Sequence, residues 1–142
     1  MYADAPVCEF KSWARGKGES EGWDKAWDIC LKEYGLTEEQ ALAYKNNPVD
    51  QMTNIAKHKV PVLSVIGGTD KVVPVEENTG KLQIRLKELG WEMKVIYQPE
   101  KGNPPHSLKE LKHIVAFELR STGKVAKVIH EVPKRTKKND KL

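Results

Sequence analysis

Asp70 and His106 are the two residues of this 142-residue chain whose types and placement could do chemistry together. A carboxylate bonded to an imidazole fixes the ring's tautomer and orientation, which sets up a general base for a serine or cysteine nucleophile. Asp70 closes the turn Gly67-Gly68-Thr69-Asp70, just past a short apolar, β-branched run. His106 lies in Gly102-Asn103-Pro104-Pro105-His106-Ser107-Leu108. A serine in a Gly-x-Ser-x-Gly pattern also occurs, as Gly18-Glu19-Ser20-Glu21-Gly22, ahead of both. Ser20 is not read as a nucleophile. Such a serine works when a buried strand delivers it onto a strained turn, and Trp13-Ala14-Arg15-Gly16-Lys17 is no buried strand. Glu19 and Glu21 would also disfavour an oxyanion beside it.

The elements that must position Asp70 and His106 are legible as alternating strands and helices. Residues 60–66 form an apolar, β-branched run that predicts a buried strand of a parallel sheet, ended by the Gly67-Gly68 turn. Residues 92–97 predict the next strand. If the two are neighbours, about 4.8 Å apart, their carboxyl-end loops share one rim and Asp70 and His106 can meet. Pro74 and Glu76-Glu77 lead into an amphipathic helix over 76–89, with Leu82, Leu86 and Leu89 on one face, Gly90 past its end, and the two glutamates in its first turn. A last helix over 108–121 packs Leu111, Ile114, Val115 and Phe117 or Leu119.

Upstream, Ser20 is placed to cap a helix whose stripe is Trp23, Trp27, Cys30, Leu31 and Tyr34, stopped by Gly35. Thr37 and Gln40 make a capping box for a second short helix. Residues 49–57 predict a further helical turn or two, with Met52, Ile55 and Ala56 facing inward. The class is α/β, with about three parallel strands flanked by helices.

The segment strand–Gly67-Gly68-Thr69-Asp70–Val72-Val73-Pro74, followed one βα unit later by the loop from Gly102 to His106, resembles the C-terminal part of an α/β-hydrolase of the esterase and prolyl-oligopeptidase-like kind. The start, Tyr2-Ala3-Asp4-Ala5-Pro6-Val7-Cys8-Glu9-Phe10-Lys11-Ser12-Trp13, is similar to the sixth-strand region of such enzymes, so the resemblance covers residues 2–121. It implies a partial α/β-hydrolase fold over 1–123, with a cap-like helical insert at about 15–57. It implies hydrolysis of carboxylic ester or peptide bonds by a Ser-His-Asp triad, with Asp70 as the acid and His106 as the histidine. Related loops carry further histidines where this chain has Asn103 and Pro104, which leaves His106 as the loop's candidate. The nucleophile elbow and oxyanion hole of the family precede the sixth strand, so the resemblance implies a fragment that lacks both, with an N-terminal half as the missing partner and a small ester or peptide as substrate of the whole.

Composition narrows the alternatives. Hydrophobic residues at 39% and charged residues at 31% fit a globular domain with one core. No apolar run approaches a membrane span, and no signal peptide is visible, so a cytoplasmic location is the default for this chain, with a secreted or periplasmic parent enzyme left open. Cys8 and Cys30 lack CxxC spacing and are read as idle thiols; no cofactor and no metal site is predicted. Of the net charge of +4, residues 124–142 hold seven Lys/Arg against two acids, leaving 17 against 18 in residues 1–123. The tail reads as a disordered basic terminus, and a nucleic-acid-binding arm is the weakest reading of it. The runner-up to a hydrolase is a non-catalytic α/β interaction module with the aromatic helix at 23–34 as its contact face.

Overall fold

A computed structural model of the protein describes residues 1–102, 108 and 111–123. The chain divides into two compact units, residues 1–109 and 110–142. The first holds a three-stranded parallel sheet in the order β1 (Tyr2–Asp4), β2 (Leu63–Gly67), β3 (Lys94–Gln98). Registers pair Ala3 with Ser64 and Ser64 with Val95, so these three residues share one face. Every β2 residue is buried, as a central parallel strand requires. The mixed α/β class and the three parallel strands agree with the sequence expectation.

The strand limits shift for identifiable reasons. β2 starts at Leu63 instead of residue 60, since Pro61 has no N–H to give a ladder. Val62 nevertheless accepts from Lys94 N at 2.8 Å, and Leu63 N reaches Met1 O at 3.0 Å. β1 ends at Asp4 because Ala5, at φ 39°, turns the chain away.

Between β1 and β2 lie α1 (Asp24–Tyr34), α2 (Glu38–Ala43), a 3-10 turn (Pro48–Gln51) and α3 (Met52–Lys57). Between β2 and β3 lies α4 (Thr79–Glu88). Gly35 stops α1 as expected: at φ 62° its N–H caps Leu31 O and Lys32 O. The Thr37–Gln40 capping box is present in both directions, 2.9 and 3.2 Å. Met52 and the half-buried Ile55 and Ala56 of α3 join Cys8, Val62, Leu82, Leu86 and Met93 in one core on the face of Ser64 and Val95. A second core gathers Ala14, Ala26, Trp27 and Ala41, with Phe10 and Trp13 against it.

Three helix starts differ from expectation. α1 begins at Asp24 with Trp23 at its N-cap position, not Ser20, whose side chain is used elsewhere. α4 begins at Thr79, so Glu76 and Glu77 sit in the preceding turn. In the second unit, α5 (Lys112–Ser121) starts later than residue 108; there Phe117 is buried while Leu111 and Val115 are exposed, contrary to the predicted packing.

Candidate active site

Asp70 sits where the carboxyl end of β2 turns outward. Its Oδ1 accepts from Val72 N at 2.9 Å and Val73 N at 2.8 Å, closing a turn in the manner typical of aspartate. The residue is 7% exposed, and its other oxygen, Oδ2, is buried without a hydrogen-bond partner among the described residues. A buried acceptor left unpaired costs about 1–3 kcal/mol, so such groups call for an explanation. The site therefore presents a carboxylate with one oxygen locked and one available to an imidazole N–H or another donor.

The turn that carries Asp70 is bound to the loop leaving β3. Gly68 N donates to Gln98 O at 2.9 Å and Thr69 N to Lys101 O at 2.9 Å. The two glycines are required by this closeness: a Cβ on Gly67 would run into the Lys101 carbonyl, and one on Gly68 into the Tyr97 hydroxyl and the Pro99 carbonyl. The expectation that both carboxyl-end loops share one rim holds through Gly102. His106 and its neighbours 103–107 lie outside the described residues.

Ser20 faces the same turn from the other side. It is 7% exposed, its hydroxyl donates to Val72 O at 2.7 Å, and Glu21 N donates to Lys71 O at 2.9 Å. No strand leads directly into it and no helix follows for three residues. Its hydroxyl proton is committed to a carbonyl, and the serine pins the Asp70 turn instead of capping α1.

Sequence reasoning missed the role of Glu77. Its Oε2 accepts from the Ser12 hydroxyl at 2.5 Å and its Oε1 from Glu19 N at 2.6 Å, so it fastens the 18–22 loop to the start of α4. Asn78 beside it is fully buried. Its Oδ1 accepts from Cys8 N and Glu9 N, at 2.9 and 3.1 Å, and its Nδ2 donates to Pro74 O and Ser12 Oγ, at 3.1 and 3.3 Å. Asn78-Thr79 is a recognisable helix-start pair. That signal could have moved the helix start, but not revealed that the asparagine serves a distant segment.

The aromatic stripe of α1 divides. Trp27 is 4% exposed, with Phe10 stacked on it at 5.3 Å; Trp23, Ile29 and Tyr34 are exposed. Cys8 and Cys30 are both free thiols, and burial pushes the Cys8 thiol up to about 12, so it stays protonated and inert at neutral pH. Among the described residues no cluster of three or more His, Cys, Asp or Glu could hold a metal ion, and no helix is long and apolar enough to cross a membrane. No family model matches the chain, and neither a curated protein nor a solved structure matches it.

Proposed function

We propose that this chain supplies the acid and the histidine of an α/β-hydrolase that cleaves carboxylic ester or peptide bonds by a Ser-His-Asp triad. Asp70 orients His106, and the serine nucleophile and oxyanion hole come from outside these 142 residues. The observation that carries the reading is the half-satisfied Asp70 carboxylate. Two backbone N–H groups hold Oδ1, and the buried Oδ2 keeps an acceptor site at the sheet rim where the β3 loop is tied down. A triad acid needs that combination, because a carboxylate free to rotate would not fix an imidazole tautomer.

NMR of the imidazole protons tests it. An Nδ1–H held by a carboxylate exchanges slowly with water, so His106 of the wild-type chain should give an observable Nδ1 proton. Asp70→Asn, which keeps an oxygen for Val72 and Val73, should abolish it. A His106 signal indifferent to Asp70→Asn would rule the pairing out.

A second reading, a non-catalytic interaction module with α1 as its contact face, draws on the exposure of Trp23, Ile29 and Tyr34. It requires no coupling between Asp70 and His106, so the same spectra separate the two.

A further inference from the structure

Two main-chain N–H groups hold Asp70, and each belongs to a peptide unit whose carbonyl is held by one loop. The unit joining Lys71 to Val72 donates through Val72 N to Asp70 Oδ1 at 2.9 Å and accepts through Lys71 O from Glu21 N at 2.9 Å. The unit joining Val72 to Val73 donates through Val73 N to the same oxygen at 2.8 Å and accepts through Val72 O from the Ser20 hydroxyl at 2.7 Å. A trans peptide unit is planar, with its N–H and C=O pointing opposite ways, so fixing one end aims the other. Donating and accepting at once also polarises the unit, which strengthens both bonds. Glu21 and Ser20 thereby act on the Asp70 carboxylate through the main chain.

The loop that supplies these groups, residues 16–22, reads Gly-Lys-Gly-Glu-Ser-Glu-Gly and has no apolar side chain to bury, so hydrogen bonds hold it down. Its two ends touch: a Cβ on Gly22 would stand 2.6 Å from the Gly16 Cα, which makes a narrow neck of the Ω-loop kind. The neck is tied by Gly16 N to Ser12 O at 2.7 Å and by Trp23 N to Ala14 O at 2.9 Å. The Ser20 hydroxyl accepts from Gly22 N at 3.3 Å while it donates to Val72 O, so the loop's own end sets its rotor.

Glu77 fastens the loop at its other side. Its Oε1 accepts from Glu19 N at 2.6 Å, while its Oε2 is fixed by the Ser12 hydroxyl at 2.5 Å. Ser12 is buried and takes a further bond from the buried Asn78 Nδ2 at 3.3 Å. The fastening carboxylate is therefore anchored in the packed body of the first unit, and the loop runs from that anchor to the turn that carries Asp70.

We infer that residues 16–22 are a strap that positions Asp70, with Ser20 and Glu77 as its positioning residues: Glu77 fastens the strap, and Ser20 sets the peptide unit that aims Val73 N at the carboxylate. The strap holds Asp70 whatever that carboxylate serves; its consequence for catalysis rests on the triad reading. There, a locked Oδ1 fixes the direction of Oδ2, which an acid that orients an imidazole requires. The serine of Gly18-Glu19-Ser20-Glu21-Gly22 then serves the acid of the site and not the attack.

Amide NMR of the full chain tests the strap, because hydrogen exchange reads local opening and an amide proton bonded to a carboxylate resonates downfield. Ser20→Ala leaves Glu21 N on Lys71 O, so exchange at Val73 should speed up about tenfold and its proton move upfield, with a smaller change at Val72 and none in β2. Glu77→Ala acts from the far end of the strap. It should speed exchange at Glu19, Val72 and Val73 together, which supplies a second arm should Ser20→Ala misfold. A Val73 amide with the same exchange rate in Ser20→Ala as in the wild type overturns the inference. So does a rise shared equally by the buried β2 amides, which would make Ser20 a residue of general stability, or a Glu77→Ala chain in which Glu19 alone is freed. The His106 Nδ1 proton keeps this separate from the triad. With the triad pairing in place, Ser20→Ala should weaken that signal; if Asp70→Asn leaves His106 unmoved, the triad fails while Val72 and Val73 still judge the strap.

Discussion

Asn78 ties together three stretches of chain that are far apart in sequence: the segment after β1, the turn after Asp70, and the start of α4. Its carboxamide is used on both ends while fully buried. Asn78→Ala strands two backbone N–H groups, of Cys8 and Glu9, each costing about 1–3 kcal/mol, so urea unfolding should show a loss of about 3–5 kcal/mol. A loss under about 1 kcal/mol would mean that water replaces the amide. Asp70 was legible as a residue of interest because glycines and a strand end surround it. Asn78 and Glu77 were not, because their importance lies in partners about 60–70 positions away.

α1 and α2 are joined through Glu38. Its Oε2 accepts from the Trp27 indole at 2.5 Å and its Oε1 from Arg15 Nε at 2.7 Å. The Trp27 hydrogen bond first, and Arg15 after it, hold the Glu38 carboxyl below the usual glutamate range. A carboxyl with a depressed folded-state value contributes stability that is present above the unfolded value and is lost as pH falls through the folded one. The melting temperature of the wild type should therefore fall more steeply below about pH 4.5 than that of Glu38→Gln, which can still accept from Trp27. Parallel pH profiles would deny the carboxylate this role. Elements that end or begin on local chemistry were readable in advance: Gly35 supplies a left-handed cap, and Thr37 and Gln40 reciprocate hydrogen bonds within four residues. The start of α1 was not, since Ser20 has the side chain of a cap but spends it on the Asp70 turn; Asn78 marks the start of α4 in the sequence, but nothing local tells that its carboxamide is spent on other segments.

Across the whole molecule, the charge is segregated: residues 1–123 carry 17 Lys/Arg against 18 acids and the tail carries the excess. On a heparin column the full chain should be retained at low salt and released as salt rises, whereas residues 1–123 should flow through. Equal retention of both would place a basic face on the body. The sheet accounts for most of what could be foreseen. Runs of β-branched residues, glycine turns and amphipathic spacing are local signals, and they sufficed for an α/β chain with three parallel strands and for the rim on which Asp70 sits. Strand order, the register that sets Ala3, Ser64 and Val95 side by side, and the bond from Ser20 to the Asp70 turn were decided only in three dimensions. Each depends on contacts between residues far apart in the chain, and no spacing within a single segment encodes which of its polar groups will be claimed from across the fold.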